Sequence, residues 1–66
     1  MKESLARRQL EILQLAADGH RYKQIGGMLS VSAETVKNQM ANIFERLGAH
    51  DKAHAVAVAM REGWVQ

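Results

Sequence analysis

An all-α fold of four helices is the architecture this sequence predicts, and three observations carry it. Proline is absent from all 66 residues although 47% of them are hydrophobic. The apolar residues recur at intervals of three and four, as they do on one face of a helix. Glycines stand where those periodic stretches break off. Length confines the chain to one domain over residues 1–66, with a thin core, because a chain of this size buries only about 60% of the surface it exposes when unfolded.

The first helix is expected from about Arg7 to Ala17, where Gln9, Ile12, Leu13 and Ala16 continue the phase set by Leu5 and Gly19 supplies the stop. The second runs from about Tyr22 to Leu29 and turns Ile25, Met28 and Leu29 inward. It carries Gly26 and Gly27 in its middle, each worse than Ala by roughly 1 kcal/mol in helix propensity, so close approach of another helix is expected to compensate. Ser30-Val31-Ser32 contains no helix breaker, yet Ser32 is a good N-cap for a third helix from Ala33 to about Leu47. Val36, Met40, Ile43 and Leu47 form its apolar stripe, with Phe44 beside them, and Gly48 ends it. At about 100° per residue its opposite face carries Glu34, Asn38, Ala41 and Glu45, with Lys37 on one flank and Thr35 and Asn42 on the other. A fourth helix is expected over residues 52–62, capped by Asp51, with Ala53, Val56, Ala57 and Met60 inward, Gly63 at its end and Trp64 folding back as a lid. Ala55, Val58 and Ala59 then lie outside. That leaves the helix apolar on more than one face, as when a helix packs against a copy of itself, and makes those three the candidate dimerisation residues.

Composition excludes several classes. With no Cys, disulfides and thiolate metal sites are out, which suits a reducing cytoplasm. No apolar run approaches the ~20 residues of a membrane span. Met1-Lys2-Glu3 leads into a stretch broken by Arg7 and Arg8, without the continuous apolar core of a signal peptide, so a cytoplasmic location is expected. A net charge of +2 permits an anionic partner without demanding one. No catalytic set is evident: there is no Cys, no Ser with His and Asp in register, no paired carboxylates on one face and no phosphate-cradling loop, so neither an enzyme nor a cofactor is expected. His50 and His54 stand four apart, a spacing that can hold a metal on one helix. His50, however, precedes the proposed cap, and a third ligand is missing, so no metal site is expected.

The second and third helices carry the functional signal. Two helices joined by a turn of three or four residues, with a small residue where they cross (Gly26) and an apolar residue ten positions later (Val36), make a helix-turn-helix. Its second helix must present its N-terminal half outward to enter a major groove roughly 12 Å wide, and that half is Glu34 to Ala41. Lys37 can reach guanine acceptors or phosphate, Asn38 can pair bidentately with adenine, and Ala41 can lie against a thymine methyl. Ser32, Thr35 and the amides after them stand where a helix N-terminus holds phosphate.

Leu5 to Leu13, Leu15 to Gly19, Tyr22 to Gly26, Leu29, Val31-Ser32, Thr35-Val36-Lys37 and Leu47-Gly48 closely resemble the LuxR-type (GerE-like) helix-turn-helix domain, in register through all four helices. The resemblance implies the C-terminal output domain of a bacterial transcription regulator, often a response regulator of a two-component system, with a receiver or sensor domain ahead of Leu5. It implies double-stranded DNA with inverted half-sites as the partner, and a homodimer joined through the fourth helix. Lys37, Asn38 and Ala41 then face bases, while Lys23, Thr35 and Tyr22 fall where family members touch the backbone.

The chain departs from the pattern at several places. Ala6 and Arg21 replace the usual caps of the first two helices, weakening two contributions of roughly 1 kcal/mol each. Gln9 and Lys52 stand where the family usually has a Glu and an Arg joined in an ion pair from the first helix to the fourth, which reads as one coupled change. Gln39 replaces the usual His, and Gly26 the usual Ala. Two other functions compete: a small helical interaction module, for which Val58→Asp or Ala59→Asp is the damaging change, and a sigma-factor-like promoter-reading domain. The Gly48 break and the Ala-rich fourth helix favour the LuxR type over the latter.

Overall fold

The computed structural model describes residues 5–66, so the reading of Met1 to Glu3 lies outside the described residues. Four helices follow in order, α1 (Arg7–Ala17), α2 (Tyr22–Leu29), α3 (Ala33–Leu47) and α4 (Lys52–Arg61), and no strand occurs among the described residues. The last helix is one residue shorter than expected, with Glu62 as its C-cap.

Each start has a local cause. Ser32 Oγ accepts from the Thr35 amide at 3.0 Å, and an Asp51 carboxylate oxygen accepts from the His54 amide at 2.9 Å. Ala6 and Arg21 make no such bond, and half of a capping box stands in for it: the Ala6 amide donates to Gln9 Oε1 at 3.1 Å and the Arg21 amide to Gln24 Oε1 at 2.8 Å.

All four helices end in the same way. An amide one residue past a left-handed position closes on the carbonyl five residues back: His20 to Leu15, Val31 to Gly26, Ala49 to Phe44 and Trp64 to Ala59. The left-handed residue is Gly in three of these and Ser30, at φ 61°, in the fourth. This is the stop that composition could not reveal. A left-handed L-residue costs roughly 1–2 kcal/mol, partly offset by the smaller entropy a Ser loses on folding. Ser30→Gly is therefore expected to raise the melting temperature by a few degrees, and Ser30→Val to lower it, in circular dichroism melts.

The core is small. Ile12, Leu13, Ile25, Val36, Met40 and Ile43 are fully enclosed, Leu5, Ala16 and Val65 nearly so, and Phe44, Leu47 and Trp64 pack around them. The Gln14 side chain exchanges two hydrogen bonds with the Gln66 backbone, at 3.1 and 3.2 Å, and holds the tail carrying Trp64 and Val65 against α1.

Gly26 is buried where α2 crosses the turn into α3. A Cβ built there would lie 2.6 Å from the Val31 carbonyl oxygen and 3.1 Å from the Ser32 carbonyl carbon, so the turn closes more tightly than a side chain permits. Gly27 meets nothing within 4 Å, and the compensating approach expected for the pair belongs to Gly26 alone. Gly27→Ala should stabilise by about 1 kcal/mol through helix propensity, while Gly26→Ala should cost about 1–2 kcal/mol through overpacking against backbone. Thermal melts of the two variants check this, and equal stabilities would remove the close approach.

The tight crossing also rotates α2. Its buried arc passes through Tyr22, Ile25, Gly26 and Leu29, and Met28, expected inside, is 55% exposed. A Gly carries no hydropathy signal, so the pattern could not show that it lies at the centre of the buried face.

The inward stripe expected for α4 is likewise corrected. Ala53, Ala57 and Met60 are exposed, whereas Ala55 and Ala59 are 0% exposed. Ala and Val populate every side of this helix, so apolarity does not set its rotation. Lys52 helps to do so: its ammonium donates to the His20 carbonyl at 3.0 Å and lies 5.3 Å from the centre of the Tyr22 ring. Lys52, Ala55 and Ala59 share one stripe, and tethering Lys52 to the α1–α2 corner brings the two small alanines against the core. Gln9 bonds to α3 and Lys52 to the α1–α2 corner, so these two side chains do not bond to each other.

Candidate nucleic-acid interface

The interface begins with how α3 is held. Val36, Met40 and Ile43, all 0% exposed, lock one side of the helix onto α1 and α2. That leaves Glu34, Thr35, Lys37, Asn38, Ala41, Asn42 and Glu45 in solvent. Side chains at positions 34, 38, 41 and 45 project along one line, the outermost ridge of α3, with Lys37 to one side and Asn42 and Thr35 to the other. No pocket opens among the described residues, so the feature available for recognition is a convex helix and not a cleft.

The N-terminus of α3 is ordered by its own side chains. Ser32 Oγ takes the Thr35 amide and lies 3.0 Å from Thr35 Oγ1, so that amide is already occupied and the amides of Ala33 and Glu34 remain available for an anion. Glu34 sits in the first turn, where its charge favours the helix dipole.

Lys23 is exposed in the first turn of α2, beside the half-buried Tyr22. Burial pushes the Tyr22 phenol above its ordinary value and keeps it in the neutral form. Its ring carries the Lys52 ammonium on one side, which makes Tyr22 a packing residue as much as a surface one.

Gln9 is the one buried polar side chain among the described residues, and all its hydrogen-bonding groups are used. Oε1 accepts from the Ala6 amide, and Nε2 donates to Gln39 Oε1 at 3.1 Å and to Asn42 Oδ1 at 2.8 Å. The inward phase of Gln9 is legible in the sequence. Its two partners on α3 are not, because nothing in the local pattern states which helix it meets.

Of the three residues assigned to dimerisation, Ala55 and Ala59 are enclosed in the core and Val58 is half-buried, so they do not form a surface. The apolar residues that α4 does expose are Ala53, Ala57 and Met60, the last 50% exposed. His50 and His54 stack at 4.9 Å, and His54 Nδ1 accepts from the His50 amide at 3.0 Å. One nitrogen of a possible ligand pair is thus engaged by backbone, and no group of three metal-binding side chains forms among the described residues.

Known proteins resemble this chain in sequence and in fold. The family model described as bacterial regulatory proteins, luxR family, matches residues 3–59. The chain is 40% identical over 62 residues to the transcriptional regulatory protein DegU of Brevibacillus brevis, covering 94% of this chain and 26% of that protein. It is 42% identical over 59 residues to the transcriptional regulatory protein LiaR of Bacillus subtilis (strain 168), covering 89% of this chain and 28% of that protein. The chain therefore spans little more than a quarter of the length of these relatives. A solved structure of the transcription factor GerE superposes with a TM-score of 0.89 at 31% identity, over 94% of this chain and 92% of that one.

Proposed function

This chain belongs to the luxR family of bacterial regulatory proteins, and on that premise we propose that it binds double-stranded DNA in sequence-specific fashion, with α3 in the major groove. The observation that carries this is the division of α3 into a fully enclosed side, Val36, Met40 and Ile43, and a solvent side bearing Lys37, Asn38 and Ala41. Lys37 reaches a phosphate at the groove wall as well as guanine acceptors, Asn38 takes the adenine edge, and Ala41 packs on a thymine methyl. Glu34, at the entry of the helix, accepts from cytosine and rejects the acceptor edges of guanine. Lys23, Tyr22, Ser32 and Thr35 contribute to the phosphates flanking the groove, which fix register without reading sequence.

The functional unit is a homodimer on inverted half-sites, paired through α4 on the face formed by Ala53, Ala57 and Met60. Two copies related by a two-fold axis match two half-sites whose centres lie about one helical turn, or a multiple of it, apart. The greater length of the relatives supports reading this chain as the output domain of a longer regulator, with a receiver or sensor domain ahead of it.

Fluorescence anisotropy of mixed-sequence duplex DNA at about 50 and 200 mM salt tests the reading. Binding that is weak and falls steeply between the two concentrations is expected. Folded protein that leaves the duplex free near millimolar concentration at the lower salt would overturn it and turn attention to α4 as a protein-interaction surface.

A further inference from the structure

We infer that Gln9, itself buried and out of reach of any ligand, sets the hydrogen-bonding polarity of the α3 flank, so that Gln39 and Asn42 present NH2 donors to a backbone phosphate of bound DNA. The inference rests on the DNA-binding reading above and adds two contact residues and one positioning residue to it.

The direction of every bond follows from one backbone group. The Ala6 amide can only donate, so the atom of Gln9 facing it at 3.1 Å must be the oxygen. The other end of that side chain is then NH2, which has two protons and meets two oxygens, Gln39 Oε1 at 3.1 Å and Asn42 Oδ1 at 2.8 Å. With both amide oxygens drawn inward, both NH2 groups point away from α1. Neither donates to a protein acceptor in the hydrogen bonds of the described residues. Asn42 is exposed and Gln39 half-exposed, on the flank of α3 that also carries Thr35. When the ridge of a helix enters a groove, its flank faces the sugar-phosphate wall, and a pair of fixed donors there suits an anionic oxygen.

A carboxylate at position 9 would invert this arrangement. It only accepts, so the two α3 amides would turn to donate inward and show their oxygens to the phosphate. Gln9 and Gln39 are both positions where the chain departs from the family pattern, and the two departures meet in one network.

The polarity is tested first in the free protein by nitrogen-15 NMR. The Gln9 NH2 protons are expected to exchange slowly, while those of Gln39 and Asn42 exchange at solvent rates; the reverse order overturns the inference without touching DNA binding. On adding mixed-sequence duplex at low salt, the Gln39 and Asn42 NH2 signals should shift and the Gln9 signal should not. Asn42→Ala should then weaken binding by about tenfold to a hundredfold, as loss of one bond to a charged acceptor does, with an unchanged salt slope because a neutral donor displaces no counterion. Gln9→Glu, which keeps the acceptor for Ala6, should fold, slow the exchange of the two α3 amides and weaken binding by a similar factor. If wild type binds and Lys37→Ala weakens it while Asn42→Ala and the amide signals are indifferent, only this inference fails. If wild type does not bind at all, it falls together with the proposed function.

Discussion

Ala59→Asp will leave the domain unfolded at 25 °C, whereas Ala57→Asp, two residues earlier, will fold and fail to pair. Ala59 is 0% exposed on the stripe that α4 presses into the apolar core cluster. Enclosing a carboxylate without partners costs several kcal/mol. A domain of this length has roughly 3–10 kcal/mol of stability in all, and a thin core sits toward the low end. Ala57 is exposed, so its Asp keeps its water and the melting temperature should move by no more than a few degrees. In the proposed dimer, the same Asp would face its own copy near the two-fold axis, where like charges repel and apolar contact is lost. Circular dichroism melts and sedimentation equilibrium separate the two effects, supplemented by binding to duplexes with one or two half-sites. A folded Ala59→Asp would show that α4 is rotated from the orientation described above. Undiminished pairing by Ala57→Asp would remove this face from the interface.

The rotation of α4 also marks where sequence pattern stops being informative. The boundaries of α1 and α3 were readable because a cap or phase-setting residue stands at one end and a glycine at the other. The facing of α3 was readable because Val36, Met40 and Ile43 alternate with Glu34, Lys37, Asn38 and Glu45, leaving one phase available. In α4 six of the ten residues are Ala or Val, spread over every side, and the apolar pattern fits several rotations equally well. The rotation is fixed instead by long-range contacts: Lys52 on the His20 carbonyl and the small Ala55 and Ala59 against the core. Those contacts have no local signature. The same limit explains Met28, displaced from the interior because Gly26 holds the buried face of α2.

The candidate site was more legible than the packing beneath it. Lys37, Asn38 and Ala41 are exposed together because the phase of α3 dictates it. What the sequence could not convey is how the neighbouring amides are oriented, since that depends on a hydrogen bond from Ala6 to Gln9 and on two more that cross to α3. Ala55 and Ala59 were misassigned to dimerisation for the reason given for α4, and the proposed interface lies nearly half a turn around the helix from them.

Lys37→Ala should lower affinity for mixed-sequence duplex about tenfold at low salt, reduce the dependence of log K on log salt by about one, and leave the circular dichroism spectrum unchanged. The side chain is exposed on α3 and is not placed in the core, so its removal exposes nothing and opens no cavity. Its charge is what matters to non-specific binding, because each phosphate neutralised by Lys or Arg releases condensed counterions. Asn38→Ala should behave differently. A neutral amide releases no counterion, so affinity for mixed sequence and its salt slope should hardly move, while affinity for a selected half-site should fall by about ten- to a hundredfold, the range of one bidentate base contact. The two variants thus separate positioning from reading within neighbouring residues of one helix. Equal losses on mixed and selected DNA for Asn38→Ala would place that side chain on the backbone and not on a base. An unchanged salt slope for Lys37→Ala would remove Lys37 from the phosphates and leave the base edge as its contact.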